Sequence, residues 1–263
     1  MPRQQPQPRL LASWSILVYA FLYLPIAVLI AISFNDSPIL SLPFKGFTPR
    51  WYQQSFADQA LQAALVNSLK VAGSATLLAT FLGLLAAFAI YRHQFFGRNT
   101  FRIALNLPIL LPGIVTGVAM LAYFSDLGWD LSLWTVILGH TVFGIPVACG
   151  PILTRLAQFP RSLEEAAYDL GAKPAEVFRD VLFPYLWSAL ISAALLAFTL
   201  SFDEVVVTIF LTGRENTLPM EIWGRLRTNI TPEIAAVATL ISLVSGVLVG
   251  LSQGTQMNAD GRR

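Results

Sequence analysis

An all-α membrane protein with six transmembrane helices is the expected fold, and three features point to it. Of 263 residues, 55% are hydrophobic and only 12% charged, whereas a soluble domain carries about 25% charge. The apolar residues gather into runs near or above the roughly 18 residues that a span requires. The runs lack the polar–apolar alternation of a membrane barrel strand. A helix is the other structure that satisfies backbone N–H and C=O groups in lipid.

Residues 1–11 hold Arg3, Arg9 and several prolines and form a short polar lead. The first span covers residues 12–34. Its apolar run is long for a signal core and lacks a small-residue cleavage pattern, so it is expected to remain as a helix. Segment 35–64 carries Phe44, Phe47, Trp51, Tyr52 and Phe56, rings that favour the membrane–water boundary. The second span, 65–90, has Gly83, Ala86 and Ala87 for close helix approach. A short basic loop, 91–101, follows. The third span, 102–124, is interrupted by Pro108, Pro112, Gly113 and Gly117. It reads either as a kinked packing helix or as a helix bending beside a translocation path. An acidic turn, 125–132, leads to the fourth span, 133–157. There His140 is expected to hydrogen-bond inside the bundle, and Cys149 to pack as a small side chain. Loop 158–184 precedes the fifth span, 185–212, which has Ala193 and Ala194 at close-approach positions. In segment 213–233, Leu218, Ile222 and Leu226 beside Trp223 make an apolar stripe at helical period, which predicts a short surface helix. The sixth span covers 234–252, and a tail, 253–263, closes the chain. The 12–252 bundle is thus one domain between two polar ends.

Lys and Arg set the orientation. With the N-terminus in the cytoplasm, the inner segments hold eleven of these residues: Arg3, Arg9, Arg92, Arg98, Arg102, Arg155, Arg161, Lys173, Arg179, Arg262 and Arg263. The outer loops hold five, Lys45, Arg50, Arg214, Arg225 and Arg227, with Lys70 at a boundary. Both termini are therefore expected in the cytoplasm. The net charge of +2 reflects this topology and gives no sign of nucleic-acid binding. One cysteine excludes an internal disulfide, and the sequence has no cysteine cluster or second histidine at metal spacing. No cofactor is expected. No Gly-x-x-x-x-Gly-Lys-Ser/Thr phosphate loop is present, so any ATP must be hydrolysed by another chain.

The loop before the fifth span carries the most specific pattern. Ser162 to Glu165 reads as Ser-x-x-Glu, a capping box that would open a helix over 163–170. Gly171 suits the left-handed residue that ends a helix. Pro174 suits the first turn of a second helix, and Pro184 marks the next boundary. The expected unit over 162–184 is helix, corner, helix, then membrane: a stiff piece able to carry force. Glu165 either caps its own helix or offers a carboxylate to a partner, and the two roles are compatible.

Glu165-Ala166-Ala167, Gly171, Ala172, Val181 and Pro184 resemble the Glu-Ala-Ala signature of the transmembrane subunits of ABC importers. Phe183 departs from the family's usual Leu but keeps bulk and apolarity. Further segments are similar to the polyamine branch of that family: Leu111-Pro112-Gly113-Ile114-Val115-Thr116-Gly117, Ser201-Phe202-Asp203-Glu204-Val205, Thr217-Leu218-Pro219-Met220-Glu221-Ile222-Trp223, and 231–239. The resemblance implies a type I ABC importer transmembrane-domain fold in a bacterial inner membrane. It implies an ATPase partner in two copies that docks on Glu165, Ala166, Ala167, Gly171, Ala172 and Pro184. It also implies a second homologous permease, a periplasmic or extracellular solute-binding protein, and a small cationic solute such as putrescine or spermidine.

Asp203 and Glu204 interrupt the fifth span, where a carboxylate costs about 2.5–3.5 kcal/mol at the helix centre. On an unbroken helix, Ser201, Glu204 and Thr208 form one polar stripe, and Thr199 and Asp203 an adjoining one. The arc would line a path and attract ammonium groups. The alternative is a structural ion pair with Arg225 or Arg227. Rival classes are a stand-alone channel, a secondary transporter, and an intramembrane enzyme using Asp203 and Glu204. The 162–184 unit separates them, because a channel does not need it.

Overall fold

A computed structural model describes residues 9–37, 44–228 and 231–243. The described residues are helical, apart from turns and one antiparallel bridge between Asn35 and Phe47. The chain divides into two compact units. One comprises Met1–Gln62 with Ile222–Arg263, and the other Ala63–Glu221.

In the first unit, α1 runs from Arg9 to Ser33. Its apolar side chains, from Trp14 through Phe21 to Leu24, are exposed on every side, as befits a helix surrounded by lipid or by other chains. The segment beyond it folds back on itself. Trp51, on α2 (Arg50–Ala57), donates its indole N–H to the Asn35 carbonyl at 2.8 Å. Phe34 stacks on Phe47, with ring centroids 4.7 Å apart. The aromatic residues of 35–64 thus include a local clamp as well as surface rings. Arg225 pairs with Asp58 at 2.8 Å and stands 3.9 Å from Glu233. The guanidinium holds the Asp58 carboxyl below the usual carboxylate range, against the opposing effect of burial.

In the second unit, α3 (Gln59–Arg92) packs on α6 (Leu133–Ala157) through small residues. A Cβ on Gly83 would lie 3.0 Å from both the Ala148 Cβ and the Cys149 backbone nitrogen, and one on Gly144 would lie 2.8 Å from the Ala79 Cβ. The close approach read from Gly83, Ala86 and Ala87 is therefore real. Ile90, Ile152, Leu156 and Leu186 fill one core cluster, and Val71, Phe124, Val136 and Leu211 are buried in another.

The third span is broken. Helices α4 (Arg98–Leu110) and α5 (Gly113–Asp126) meet at 105°. Leu111 is extended at φ −81°, ψ 145°, the conformation that a following proline imposes. Gly113 then lets Val206 approach to 3.4 Å of where a Cβ would stand.

Short helices α7 (Arg161–Asp169) and α8 (Pro174–Val177) come next. Residues Phe178–Leu182 wind as a π-helix and continue directly into α9 (Phe183–Asp203). Helix α10 covers only Val206–Leu211, and α11 covers Leu218–Thr228, where the surface helix was expected. A last apolar helix, α12, spans Pro232–Leu243.

Among the described residues, four helices are long and apolar enough to cross a membrane, or five if the bent pair counts as one span. The shorter apolar helix α12 overlaps the start of the expected sixth span. The remainder of 234–252, residues 1–8 of the lead and the tail 253–263 lie outside the described residues.

Candidate functional site

Two regions carry the residues singled out from the sequence. The first is the helix pair before α9. Gly171 ends α7 at φ +82°, the left-handed geometry expected of it. Its N–H donates to the Tyr168 carbonyl at 2.9 Å, and the Ala172 N–H reaches back to the Ala167 carbonyl at 3.0 Å. Pro174 begins α8, and the Glu176 carboxylate accepts the Lys173 N–H at 2.7 Å. The corner is closed by local hydrogen bonds on both sides.

One local expectation is corrected. Ser162 and Glu165 do not form a capping box. Pro160 occupies the N-cap, and α7 starts at Arg161, so Ser162 already lies in the first turn. The acid that is engaged there is Glu164, which binds Arg92 at the end of α3. Pro184 stands in the first turn of α9, at the opening of the fifth span where it was expected. The helix runs through it because the preceding turn is π: the Phe183 N–H bonds the Phe178 carbonyl. The register has shifted one residue before the proline removes its own donor.

Glu165, Ala166, Gly171 and Pro184 are exposed, while Ala167 and Ala172 are half-buried. Leu163, Ala166 and Leu170 lie three and seven residues apart, which puts them on one face. Leu170 is 90% exposed. Helix α7 carries this apolar face, and beyond the Gly171 corner α8 runs through the π turn into α9 without a break. Arg155, on α6, braces the junction: its guanidinium lies 4.0 Å from the Tyr185 ring centroid, and Tyr185 donates to the Gln158 carbonyl at 3.1 Å. The sequence reading missed both Arg92–Glu164 and Arg155–Tyr185. Each joins segments distant in the chain, and the only available signal was a basic residue at a span end.

The second region is the fifth span. Its helix stops at Asp203, and Glu204 is extended at φ −74°, ψ 118°. The polar arc drawn on an unbroken helix is therefore corrected, and its members part company. Ser201 and Thr208 are buried and face one imidazole: His140 Nδ1 is 2.7 Å from Ser201 Oγ, and Nε2 is 2.9 Å from Thr208 Oγ1. Glu204 turns its carboxylate onto the start of α10, accepting the Val207 N–H at 2.9 Å. Asp203 remains exposed. Arg225, weighed as an ion-pair partner for Asp203, pairs with Asp58.

An apolar cleft of about 290 Å³ lies along the α4–α5 bend, lined by Leu107, Pro108, Leu111, Val115, Thr116 and Tyr123 among others. Its lining contains no charged group. Among the described residues, no three His, Cys, Asp or Glu side chains gather where a metal could bind.

Comparison with known proteins gives these geometries a setting. Residues 79–255 match the family described as binding-protein-dependent transport system inner membrane component. The chain is 38% identical over 237 residues to the spermidine/putrescine transport system permease protein PotC of Haemophilus influenzae, covering 90% of this chain and 92% of that one. It is 36% identical over 253 residues to the putrescine transport system permease protein PotI of Escherichia coli, covering 92% and 90%. Among solved structures, a chain of a bacterial ABC transporter that imports the acidic polysaccharide alginate superposes with a TM-score of 0.68 at 17% identity, over 97% of this chain and 99% of that one. A chain of the inward-facing MetNI methionine ABC transporter superposes with a TM-score of 0.60 at 20% identity, over 74% and 92%.

Proposed function

This chain belongs to the family of binding-protein-dependent transport system inner membrane components, and we propose that as the permease subunit of an ABC importer it carries polyamines. It forms half of the path with a second homologous permease. Two copies of an ATPase supply the work from the cytoplasm, where both termini also lie. An external solute-binding protein delivers putrescine, spermidine or a close cationic relative.

The observation that carries this reading is the exposed helix pair whose second member, α8, is continuous with α9. Its docking residues are Glu165, Ala166, Ala167, Gly171 and Ala172, with Pro184 in the shaft behind them. Closure of the ATPases pushes this pair, and the unbroken helix from Pro174 to Asp203 transmits the displacement to the break at Glu204. The Asp203 carboxylate faces the path there. Glu204, Ser201 and Thr208 shape the wall behind it. The solute assignment draws on the relatives named for polyamine transport and on that exposed carboxylate.

Reconstituted vesicles containing the full complex, given labelled putrescine, spermidine and a neutral solute, test the assignment. Polyamine uptake without neutral uptake is expected, and absence of polyamine flux rejects it. Asp203→Asn is expected to lower uptake about tenfold, which corresponds to roughly 1.4 kcal/mol of lost stabilisation of the cation. Uptake equal to that of the unaltered protein removes Asp203 from the path.

A further inference from the structure

The break in the fifth span has no helix-breaking residue behind it; its one local device is the Glu204 carboxylate on the Val207 N–H. Residues 199–212 contain neither proline nor glycine, the residues that usually interrupt a helix. The β-branched run from Val205 to Ile209 weakens helix propensity only slightly. Beside that local bond, tertiary contacts grip the two pieces.

We infer that His140 is a positioning residue: a neutral imidazole, protonated on Nε2, that pins α9 and α10 on either side of the break and so leaves Asp203, rather than Glu204, open to solute. The proton placement follows from counting donors. Thr208 has one hydroxyl proton, and its Oγ1 donates to the Glu204 carbonyl at 2.8 Å. Toward His140 Nε2, 2.9 Å away, it can only accept. Nε2 therefore carries the hydrogen. In a neutral ring Nδ1 is then bare and accepts the Ser201 hydroxyl at 2.7 Å. The ring is neutral because it is buried, its two nitrogens face hydroxyls and no carboxylate, and a buried charge without a counter-ion is costly.

Ser201 lies two residues before the end of α9, and Thr208 lies two residues into α10, so one side chain grips both sides. His140 is 1% exposed and Phe143 packs on it, with ring centroids 5.3 Å apart. The seat of α10 is shaped to match. A Cβ on Gly139 would stand 2.3 Å from Leu211 Cδ1, and one on Gly117 would stand 2.6 Å from Phe210 Cδ2. Without the pin, α9 and α10 can join into one helix. Glu204 would then leave the α10 terminus, and the two carboxylates, about 100° apart on a helix, would be re-aimed together.

The role of Asp203 in this inference rests on the function proposed above; the pin does not. In the assembled importer, uptake per ATP hydrolysed is measured for His140→Ala, His140→Gln and Asp203→Asn. Spin labels at Leu196 and Ile209, with Cys149→Ser, report the break. His140→Ala is expected to lower uptake per ATP about tenfold. It should also move the label distance to that of a continuous helix, about 20 Å for thirteen residues at 1.5 Å each. His140→Gln, which can both donate and accept, is expected to recover much of both. Unaltered uptake per ATP and distance in His140→Ala overturn the pin, as does a parallel loss of uptake and ATP turnover with an unchanged distance. If Asp203→Asn transports like the unaltered protein while His140→Ala still shifts the distance, the pin stands and Asp203 loses its role. Nitrogen-15 histidine spectra of the unaltered complex need no variant. With only two histidines, a bare Nδ1 at His140 supports the assignment, and a bare Nε2 overturns it.

Discussion

Gly171→Val is expected to detach the ATPase partner and to lower solute uptake by about tenfold or more, while the spanning bundle keeps its thermal stability. The cause is backbone conformation, because a Cβ at this glycine would meet nothing within 4 Å. At φ +82° an L-residue pays about 1–2 kcal/mol, and a β-branched one is a genuine outlier. Valine would escape by leaving the left-handed region. The bonds from Gly171 to Tyr168 and from Ala172 to Ala167 would then be lost, and α8 would leave α7 in a new direction. A docking surface built from both helices cannot survive that change. The same reasoning orders a series: Asn tolerates the left-handed region best, Ala less well, and Val least. Co-purification of the ATPase and uptake should fall in that order. Equal behaviour of Asn and Val would show that the corner carries no coupling.

Gly171 and Pro174 were legible because their roles are local. A helix end and a first helical turn are decided within a few residues, and each choice agrees with its neighbours. The same holds for the break of the third span, where Pro112 forces Leu111 out of the helix. The Ser162 expectation failed because two local signals competed. Ser162 has capping chemistry, but Pro160 stands two residues earlier and takes the N-cap. Pro184, whose role is local, does sit in the first turn of α9, just after the π turn. The polar arc failed for a different reason. It assumed an unbroken helix, and the break is held by His140, 61 residues from Ser201 and 68 from Thr208. No pattern within a span encodes such a contact. A histidine inside an apolar run does mark a polar group that must find partners, and the expectation that it bonds inside the bundle holds. Which hydroxyls it finds is a property of the packing alone.

Gly213→Ala is expected to destabilise the Ala63–Glu221 unit, whereas Gly150→Ala is expected to leave it unchanged or stabilise it, although the chemical change is identical. At Gly213 the added Cβ would stand 2.2 Å from the Leu131 carbonyl oxygen and 2.9 Å from its carbon. Both atoms are backbone, so no side-chain rotation relieves the overlap. Relief requires moving the α5–α6 turn, and that turn is already bonded. The Ser132 N–H donates to Thr135 Oγ1 at 2.9 Å, and the same hydroxyl donates to the Leu211 carbonyl at 2.7 Å, with the Ser132 carbonyl equally close. Separating the strands of this knot strains or breaks bonds on both sides. Overpacking of this kind costs about 1–3 kcal/mol. Gly150 lies within α6, and a Cβ there meets nothing within 4 Å. Alanine in a helix interior gains about 0.5–1 kcal/mol over glycine. Thermal unfolding of the two variants in the same detergent checks the pair, and a lower midpoint for Gly213→Ala alone is expected. If both variants unfold like the unaltered protein, the α10 end is loosely seated and the contact between Gly213 and Leu131 does not constrain it. The effect should also reach transport. Leu211 ends the short helix that begins at the Glu204 cap, so a shift at Gly213 displaces the same six-residue piece that His140 grips through Thr208.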